Sequence, residues 1–221
     1  MSDTIRSGAK MSEPIHTLKF PPWVRWASLI WIAVWFPAYW RAWGVQNFLH
    51  VCDIAVILTC VGLWWSNPLL LSSQAVSSIV ADLLWDLDAG WRLLTGHNLT
   101  GGTGYMWDAH YPLWVRLLSL FHVVWPILLL WSLKRTGYDR RGWLLQSTIA
   151  AGAMIAARFG NPAMNINYAF RDPIVHRAWG PALVHVALMW LGLVILIYLP
   201  THFALAKLLP APAIAKTQPR F

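Results

Sequence analysis

A thiol and an imidazole inside apolar segments are the groups of this sequence best suited to covalent chemistry. Cys52 and Asp53 stand near the start of an apolar run that continues to Trp65, and His122 lies near the middle of a later run. Polar groups are expensive in hydrocarbon, so their presence there points to a function. A thiol becomes a nucleophile when a base takes its proton, and a neutral histidine can be that base. The pair predicts attack on an acyl ester, with Cys52 as nucleophile and His122 as base.

Further polar residues are predicted to complete this site. The oxyanion that forms on an attacked ester needs hydrogen-bond donors. Three candidate donors follow the fifth apolar run: Asn165, Asn167 and Tyr168. Four supporting residues are expected in the same half of the protein: His50, Asp53, Asp86 and His185.

Structural explanations compete with catalysis for several of these residues. A cysteine without an activating neighbour behaves as a small buried apolar side chain, which is the alternative for Cys52. His50 and Asp53 could simply hydrogen-bond each other at the membrane surface, and His185 could be a core histidine with satisfied hydrogen bonds. His122 has no such simple explanation, because an imidazole in mid-membrane needs a partner.

Helical geometry constrains which histidine could serve Cys52. On a continuous helix from about residue 47 to 65, Cys52 lies about 100° from Asp53 and about 200° from His50. His50 is therefore a poor base for Cys52, although it is the nearest histidine in sequence. The base is expected from another segment.

Composition predicts an integral membrane protein. The chain of 221 residues is 57% hydrophobic and only 12% charged, whereas soluble domains average about 25% charged residues. Its 17 tryptophans lie mostly near the ends of apolar runs, as in an interfacial aromatic belt. The net charge of +8 is concentrated in loops and tails, which is typical of topology signals, so no nucleic-acid partner is expected.

Six apolar segments predict an all-α, polytopic bundle of about six transmembrane helices. They cover about 23–40, 47–65, 69–95, 112–133 and 142–159, with a sixth ending near residue 202. The organisation is a tail at 1–20, a membrane domain at 21–205 and a tail at 206–221, and no cleavable signal peptide is expected. Segment 69–95 has two interpretations, an amphipathic helix at the membrane surface or a spanning helix whose polar face lines a cavity. Within it, Asp88 and Arg92 are four residues apart and could pair.

Charge distribution predicts the orientation of this bundle. Six crossings place both termini on one side of the membrane. Eleven of the 17 lysines and arginines fall on that side and six on the other. The positive-inside rule therefore predicts that both termini are cytoplasmic.

Three short motifs resemble those of the YwaF-like bacterial membrane proteins. Residues 49–52 (LHVC) are similar to that family's Pro-Leu-His-Leu-Cys stretch. Phe121-His122 resembles its aromatic-rich span with a mid-membrane histidine, and residues 167–170 (NYAF) resemble its Asn-Tyr-Met-Phe motif. The order and approximate spacing agree over residues 46–172.

This resemblance implies an activity and a location. Animal relatives of the family are thought of as cysteine-dependent phospholipid acyltransferases, and the more distant androgen-induced-gene-type hydrolases use Thr and His on a similar helical frame. The implied roles are Cys52 as nucleophile and His122 as base, in a bacterial inner membrane. The sequence departs from the family at Asp53, where Ser is usual, and in the wide spacing between His110 and His122.

Three classes of function stay open at this stage. The first is a lipid acyltransferase or acyl hydrolase that acts on membrane lipids without a cofactor. The second is a haem or chlorophyll carrier that uses His122 and His185, because a buried histidine can ligate either metal. The third is an accessory subunit that packs against other membrane proteins of a larger complex.

Overall fold

Six helices make up most of the described chain, which is residues 20–212 of a computed structural model. They are α1 Pro22–Trp43, α2 Val51–Trp65, α3 Pro68–Thr95, α4 Leu113–Thr136, α5 Gly142–Ala157 and α6 Ala182–Leu208. No strand occurs within these residues, so the all-α prediction is confirmed. Residues 1–19 and 213–221, which include most of the two predicted tails, lie outside the described residues.

Local sequence explains the sharp turn between α2 and α3. Ser66 adopts a left-handed conformation (φ 52°) that ends α2. The Asn67 side chain accepts a hydrogen bond from the Leu70 N–H (3.1 Å), and Pro68 occupies the first helical position. An asparagine cap followed by proline is a strong start signal. The two helices consequently form a tight antiparallel hairpin.

Successive helices run in opposite directions and define two ends of the bundle. At the Asp139 end, the Asp139 N–H donates to Ser72 Oγ (2.8 Å). At the Asn167 end, the Val51 N–H donates to Asn167 Oδ1 (3.0 Å). These two names are used below for the two ends.

Helix α3 lies at the centre of the bundle. Its residues 71–78 are all buried, and α2, α4 and α5 pack against it. Helix α3 is therefore a central element of the bundle. Its second half presents leucines to the outside, among them Leu83, Leu84 and Leu87.

Within residues 20–212, three helices are long and apolar enough to cross a membrane: α3, α4 and α6. Helices α2 and α5 are apolar but have 15 and 16 residues, or about 23 Å of helix, against about 30 Å of hydrocarbon. Large apolar side chains point outward from the long helices, such as Ile127 at 66% exposed and Leu196 at 72% exposed. These features and the composition indicate a membrane protein.

The loop after α3 is fastened to that helix by Asp88. Its Oδ1 accepts the Thr100 N–H (2.6 Å), and its Oδ2 accepts the N–H (2.9 Å) and hydroxyl (2.6 Å) of Thr103. Within residues 20–212, no ion pair joins Asp88 to Arg92, because the loop backbone occupies the carboxylate. The guanidinium of Arg92 instead lies over the Trp107 ring, 4.6 Å from its centroid.

Helix α6 contains one turn of π-helix, Val194–Tyr198. This wide turn places the fully buried Tyr198 where its hydroxyl accepts a hydrogen bond from Gln146 Nε2 (3.2 Å). Gln146 lies on α5, so the π turn joins α6 to the interior of the bundle.

Candidate functional site

Asn167 fastens the start of α2 to the loop between α5 and α6. Its Oδ1 accepts the Val51 N–H (3.0 Å), and its Nδ2 donates to the Leu49 carbonyl (2.7 Å). Asn167 itself has a left-handed backbone (φ 51°), which asparagine tolerates better than most residues. This clamp satisfies an otherwise unpaired N–H of the first helical turn. It also fixes the position of Cys52, the next residue along the helix.

Helix α2 begins at Val51 rather than near residue 47. Residues 45–49 form a separate 3₁₀ helix, and His50 has an extended backbone (ψ 133°) between the two. The angles predicted between His50 and the other site residues therefore do not apply. Within residues 20–212, no hydrogen bond joins His50 to Asp53. The Asn47 side chain donates to Asp53 Oδ2 instead (2.6 Å).

Cys52 and Asp53 form the α2 side of a buried polar site. Asp53 is 2% exposed, and its Oδ1 lies 4.0 Å from Cys52 Sγ. An ionised carboxylate at this distance opposes formation of a thiolate. The thiolate of Cys52 is therefore more favourable when Asp53 is protonated than when it is ionised.

His122 is held in one orientation. Its Nδ1 lies 2.7 Å from the Ser119 carbonyl oxygen, which can only accept, so Nδ1 carries the proton. The ring stacks on Trp85 of α3, with a centroid distance of 4.4 Å and an interplanar angle of 7°. Nε2 is then unprotonated and can act as a base or a metal ligand. Within the described chain, no hydrogen bond joins His122 to Cys52.

Tyr105 closes the site from the loop between α3 and α4. Its hydroxyl accepts a hydrogen bond from Trp85 Nε1 (3.2 Å). Burial raises the pKa of Tyr105, and the neighbouring Cys52 and Asp53 raise it further, against the opposing effect of a hydrogen bond with Ser119. The phenol is therefore neutral at physiological pH and available as a donor. The only hint of this role in the sequence was a tyrosine in a glycine-rich loop.

Asp82 of α3 faces the same region and was not among the predicted site residues. It is 1% exposed and interacts electrostatically with Cys52 and Asp86. Apart from an interaction with the Ser78 hydroxyl one turn earlier, neither of its oxygens has a partner among the described residues. The predicted Asp86 is half-buried, and its Oδ1 is likewise without a partner. The register of the α2–α3 hairpin explains this difference. Cys52 lies 14 residues before Ser66 and Asp82 lies 14 residues after Pro68, so the two residues are level with each other in the hairpin.

His185 fastens the long loop that precedes α6. It is 1% exposed. Its Nδ1 accepts the Trp179 N–H (3.1 Å), and its Nε2 lies 3.0 Å from the Tyr168 carbonyl oxygen, to which it donates. Both ring nitrogens form hydrogen bonds, so His185 fits the description of a core histidine whose hydrogen bonds are satisfied. His185 would have to release one of these bonds to bind a metal.

Asn165 and Tyr168 differ in their freedom to act as donors. Asn165 Oδ1 accepts the N–H groups of Phe170 and Arg171 (3.0 Å each), and its Nδ2 donates to the Arg171 carbonyl (2.9 Å). Asn165 therefore organises its own loop. Tyr168 is 46% exposed, and its hydroxyl makes no hydrogen bond within residues 20–212, so the phenol is free to donate.

Metal ligands are not grouped in this region. Within residues 20–212, no three His, Cys, Asp or Glu side chains stand together as a potential metal site. Of the two histidines considered for haem or chlorophyll, only His122 has a free ring nitrogen in the observed hydrogen-bond arrangement.

No known family, curated protein or solved structure matches this chain. The resemblance to the YwaF-like proteins therefore stays a prediction.

Proposed function

We propose that this chain is a multi-pass protein of the bacterial inner membrane that transfers or hydrolyses lipid acyl groups at Cys52. One observation carries the proposal: His122 binds the Ser119 carbonyl through Nδ1 and stacks on Trp85, which leaves Nε2 without a partner among the described residues and able to act as a base. In this proposal all six helices cross the membrane. Both termini are cytoplasmic, and the Asn167 end faces the outer leaflet.

The reaction begins with proton transfer from Cys52 Sγ to His122 Nε2. The thiolate adds to the ester carbonyl carbon, and the resulting oxyanion accepts hydrogen bonds from a phenol. Tyr105 and Tyr168 supply such phenols. The carbon–oxygen bond of the ester then breaks, and the leaving alcohol takes the proton from His122. Water or a second alcohol attacks the thioester and restores the thiol.

Distance sets a condition on the first step. Since no hydrogen bond joins the thiol to the imidazole, proton transfer requires a bridging water or a closer approach in the substrate complex. The Asn167 clamp restricts movement of Cys52, so the adjustment is expected on the side of α4. The acyl chain would arrive laterally from the lipid, because the outward faces of the long helices are apolar.

Covalent labelling tests this proposal directly. Purified protein in mild detergent is treated with a long-chain acyl ester of an activated phenol, and adducts are located by peptide mass spectrometry. We expect a thioester on Cys52 that is absent from Cys52→Ala. Cys60→Ala is the matched control, because Cys60 is the other cysteine of the chain and is buried deeper in α2. Labelling of Cys60 instead, or an equal signal after Cys52→Ala, would refute the assignment.

The role of His122 has its own test. His122→Asn keeps a donor for the Ser119 carbonyl but removes the base, so the rate of acylation is expected to fall by about 10²–10⁴-fold. An unchanged rate, with the variant still eluting as a folded species, would remove His122 from the reaction.

The same free nitrogen favours a second candidate function. His122 Nε2 beside an aromatic wall could ligate haem iron or chlorophyll magnesium, as in a pigment-contacting subunit of a larger membrane complex. A visible absorption spectrum of protein purified from its native membrane decides this. A Soret or chlorin band that is lost in His122→Ala would favour the second candidate over acyl transfer.

A further inference from the structure

Six polar side chains are buried along α3, and together we call them the stripe. Each member is at most 2% exposed, and the helix is long and apolar enough to cross a membrane. From first to last the stripe rises about 15 Å along the axis. Its members are Ser72, Ser73, Gln74, Ser77, Ser78 and Asp82.

Several oxygen atoms along this stripe have no hydrogen-bond partner among the described residues. They belong to neighbouring helices as well as to α3: Oε1 of Gln74, Oε1 of Gln146, Oγ1 of Thr59 and the carboxyl oxygens of Asp82, apart from the Ser78 interaction. A buried polar group without a partner is unfavourable. Native proteins usually satisfy such groups with internal water. A row of them in one interior predicts a hydrated interior.

Hydrogen bonds connect neighbouring members of the stripe. Gln146 Nε2 donates to Ser77 Oγ (2.8 Å) and to the Tyr198 hydroxyl (3.2 Å). Gln74 Nε2 donates to Ser73 Oγ (2.7 Å). A hydroxyl accepts one hydrogen bond while it donates another, so hydroxyls and water together can pass a proton along a chain.

The two ends of the stripe differ in access. Towards the Asn167 end, the half-buried Asp86 follows Asp82 by one turn and leads outward. At the Asp139 end, Gly142 packs directly on α3, and a Cβ placed there would lie 2.8 Å from Ser72 Cβ. One end of the stripe therefore leads outward past Asp86, and the other lies under the close contact between α3 and α5, where the Asp139 N–H donates to Ser72 Oγ (2.8 Å).

Asp82 is the titratable group inside the stripe. Within residues 20–212, no lysine or arginine forms an ion pair with it, and its charged neighbours are Asp86 and, if ionised, Cys52. A lone carboxylate in such a place is unfavourable unless it takes up a proton. Binding and release of a proton is thus the chemistry available to Asp82.

We propose that the α3 stripe is a proton path through the bundle, with Asp82 as the residue that binds and releases the proton. The proton passes between Asp82, internal water and the hydroxyls of the stripe, and no electron transfer or covalent bond to the substrate is involved. The inference does not depend on acyl transfer at Cys52.

Proton flux into vesicles tests the path. The full chain is reconstituted in phosphatidylcholine–phosphatidylglycerol vesicles that contain pyranine, and a pH step is applied with potassium and valinomycin present to clamp the voltage. We expect wild-type vesicles to equilibrate faster than protein-free vesicles. Asp82→Asn should lose this excess rate, and Gln146→Leu should reduce it. Thr148→Val is the matched control, because Thr148 lies on α5 but is exposed, outside the stripe.

Two further measurements make each outcome decisive. N,N′-dicyclohexylcarbodiimide attacks protonated carboxyl groups in apolar surroundings, so treatment of wild-type protein should modify Asp82 and block the flux without any substitution. Cys60→Ala should conduct like wild type, because its thiol lies outside the stripe and donates to the Ser28 carbonyl of α1 (3.7 Å). Wild-type flux equal to that of protein-free vesicles, or full flux in carbodiimide-modified protein or in a folded Asp82→Asn, would overturn the proton path.

Discussion

Replacing Asn167 with alanine should destabilise the bundle by removing the clamp on α2. The variant loses the hydrogen bonds to the Val51 N–H and the Leu49 carbonyl. Each net bond contributes about 0.5–1.5 kcal/mol, and leaving its half-buried partner unpaired adds to the loss. The lost bonds account for about 2–3 kcal/mol, and the left-handed backbone, which suits alanine less well than asparagine, adds to this loss. For a chain of this length the loss of the bonds alone corresponds to a fall in Tm of about 4–12 °C.

Asn167→Gly separates the hydrogen bonds from the backbone conformation. Both variants lose the same two bonds, but glycine adopts the left-handed conformation (φ 51°) about 1–2 kcal/mol more easily than alanine. The glycine variant should therefore have a Tm between wild type and the alanine variant. Asn98→Ala is the control, because Asn98 is exposed and accepts its side-chain bond from Arg92 at the surface.

Intrinsic tryptophan fluorescence during thermal unfolding in mild detergent measures these differences. Cys52 should also react faster with a maleimide in Asn167→Ala, since the first turn of α2 is no longer fastened. If the alanine variant melted within about 1 °C of both wild type and Asn98→Ala, the clamp would contribute nothing measurable. The assignment of Asn167 as the residue that positions Cys52 would then be wrong.

Two other predictions concern a loop and a helix contact. Burial by itself would raise the pKa of Asp172, but hydrogen bonds from N–H groups of the following turn, including those of Val175 (2.7 Å) and Arg177 (3.0 Å), outweigh it and lower the pKa to about 2. This stabilisation is complete above the unfolded pKa of about 3.9 and is lost as the pH falls from there through about 2. Protection of these amides from hydrogen exchange should therefore disappear over that pH range. Asp172→Asn should abolish this pH dependence. Gly142→Ala should lower the Tm and reduce the free energy of unfolding by about 1–3 kcal/mol, because its Cβ would lie 2.9 Å from the α3 backbone. Gly152→Ala is the control, since no atom lies within 4 Å of its Cβ, and it should leave the Tm unchanged or slightly raised.

Apolar runs and turn residues were enough to predict the helices. The α2–α3 hairpin follows from a serine, a capping asparagine and a proline in successive positions, and all three act as their types suggest. The ends of the helices were less predictable, because α2 starts where a side chain 116 residues away accepts its first N–H. Periodicity within a segment carries no information about such a partner.

The candidate site was predictable in its residue types but not in its pairing. Spacing predicted that Asp88 could pair with Arg92. The folded loop instead brings several backbone N–H groups together, and the Asp88 carboxylate binds these rather than the guanidinium. The fully buried carboxyl that α3 contributes to the site is Asp82 rather than Asp86, since the register of the α2–α3 hairpin sets which residue of α3 lies level with Cys52. His185 was correctly singled out as buried and polar, but its two backbone partners come from a loop whose path no local pattern specifies.

The π turn of α6 gives that helix two halves with different phases. A π turn holds one residue more than an α turn, so everything after Val194–Tyr198 is rotated by about 100° relative to an unbroken α-helix. Tyr198 at the end of the turn, and Thr201 and Leu205 after it, are buried on the side that this rotation turns towards the core. Deleting one residue from the turn would restore a regular helix and at the same time swing these three side chains away from the core. A single-residue insertion or deletion in α6 therefore changes which side chains face the core as well as the length of the helix. An insertion paired with a deletion on the other side of the turn would restore the original faces.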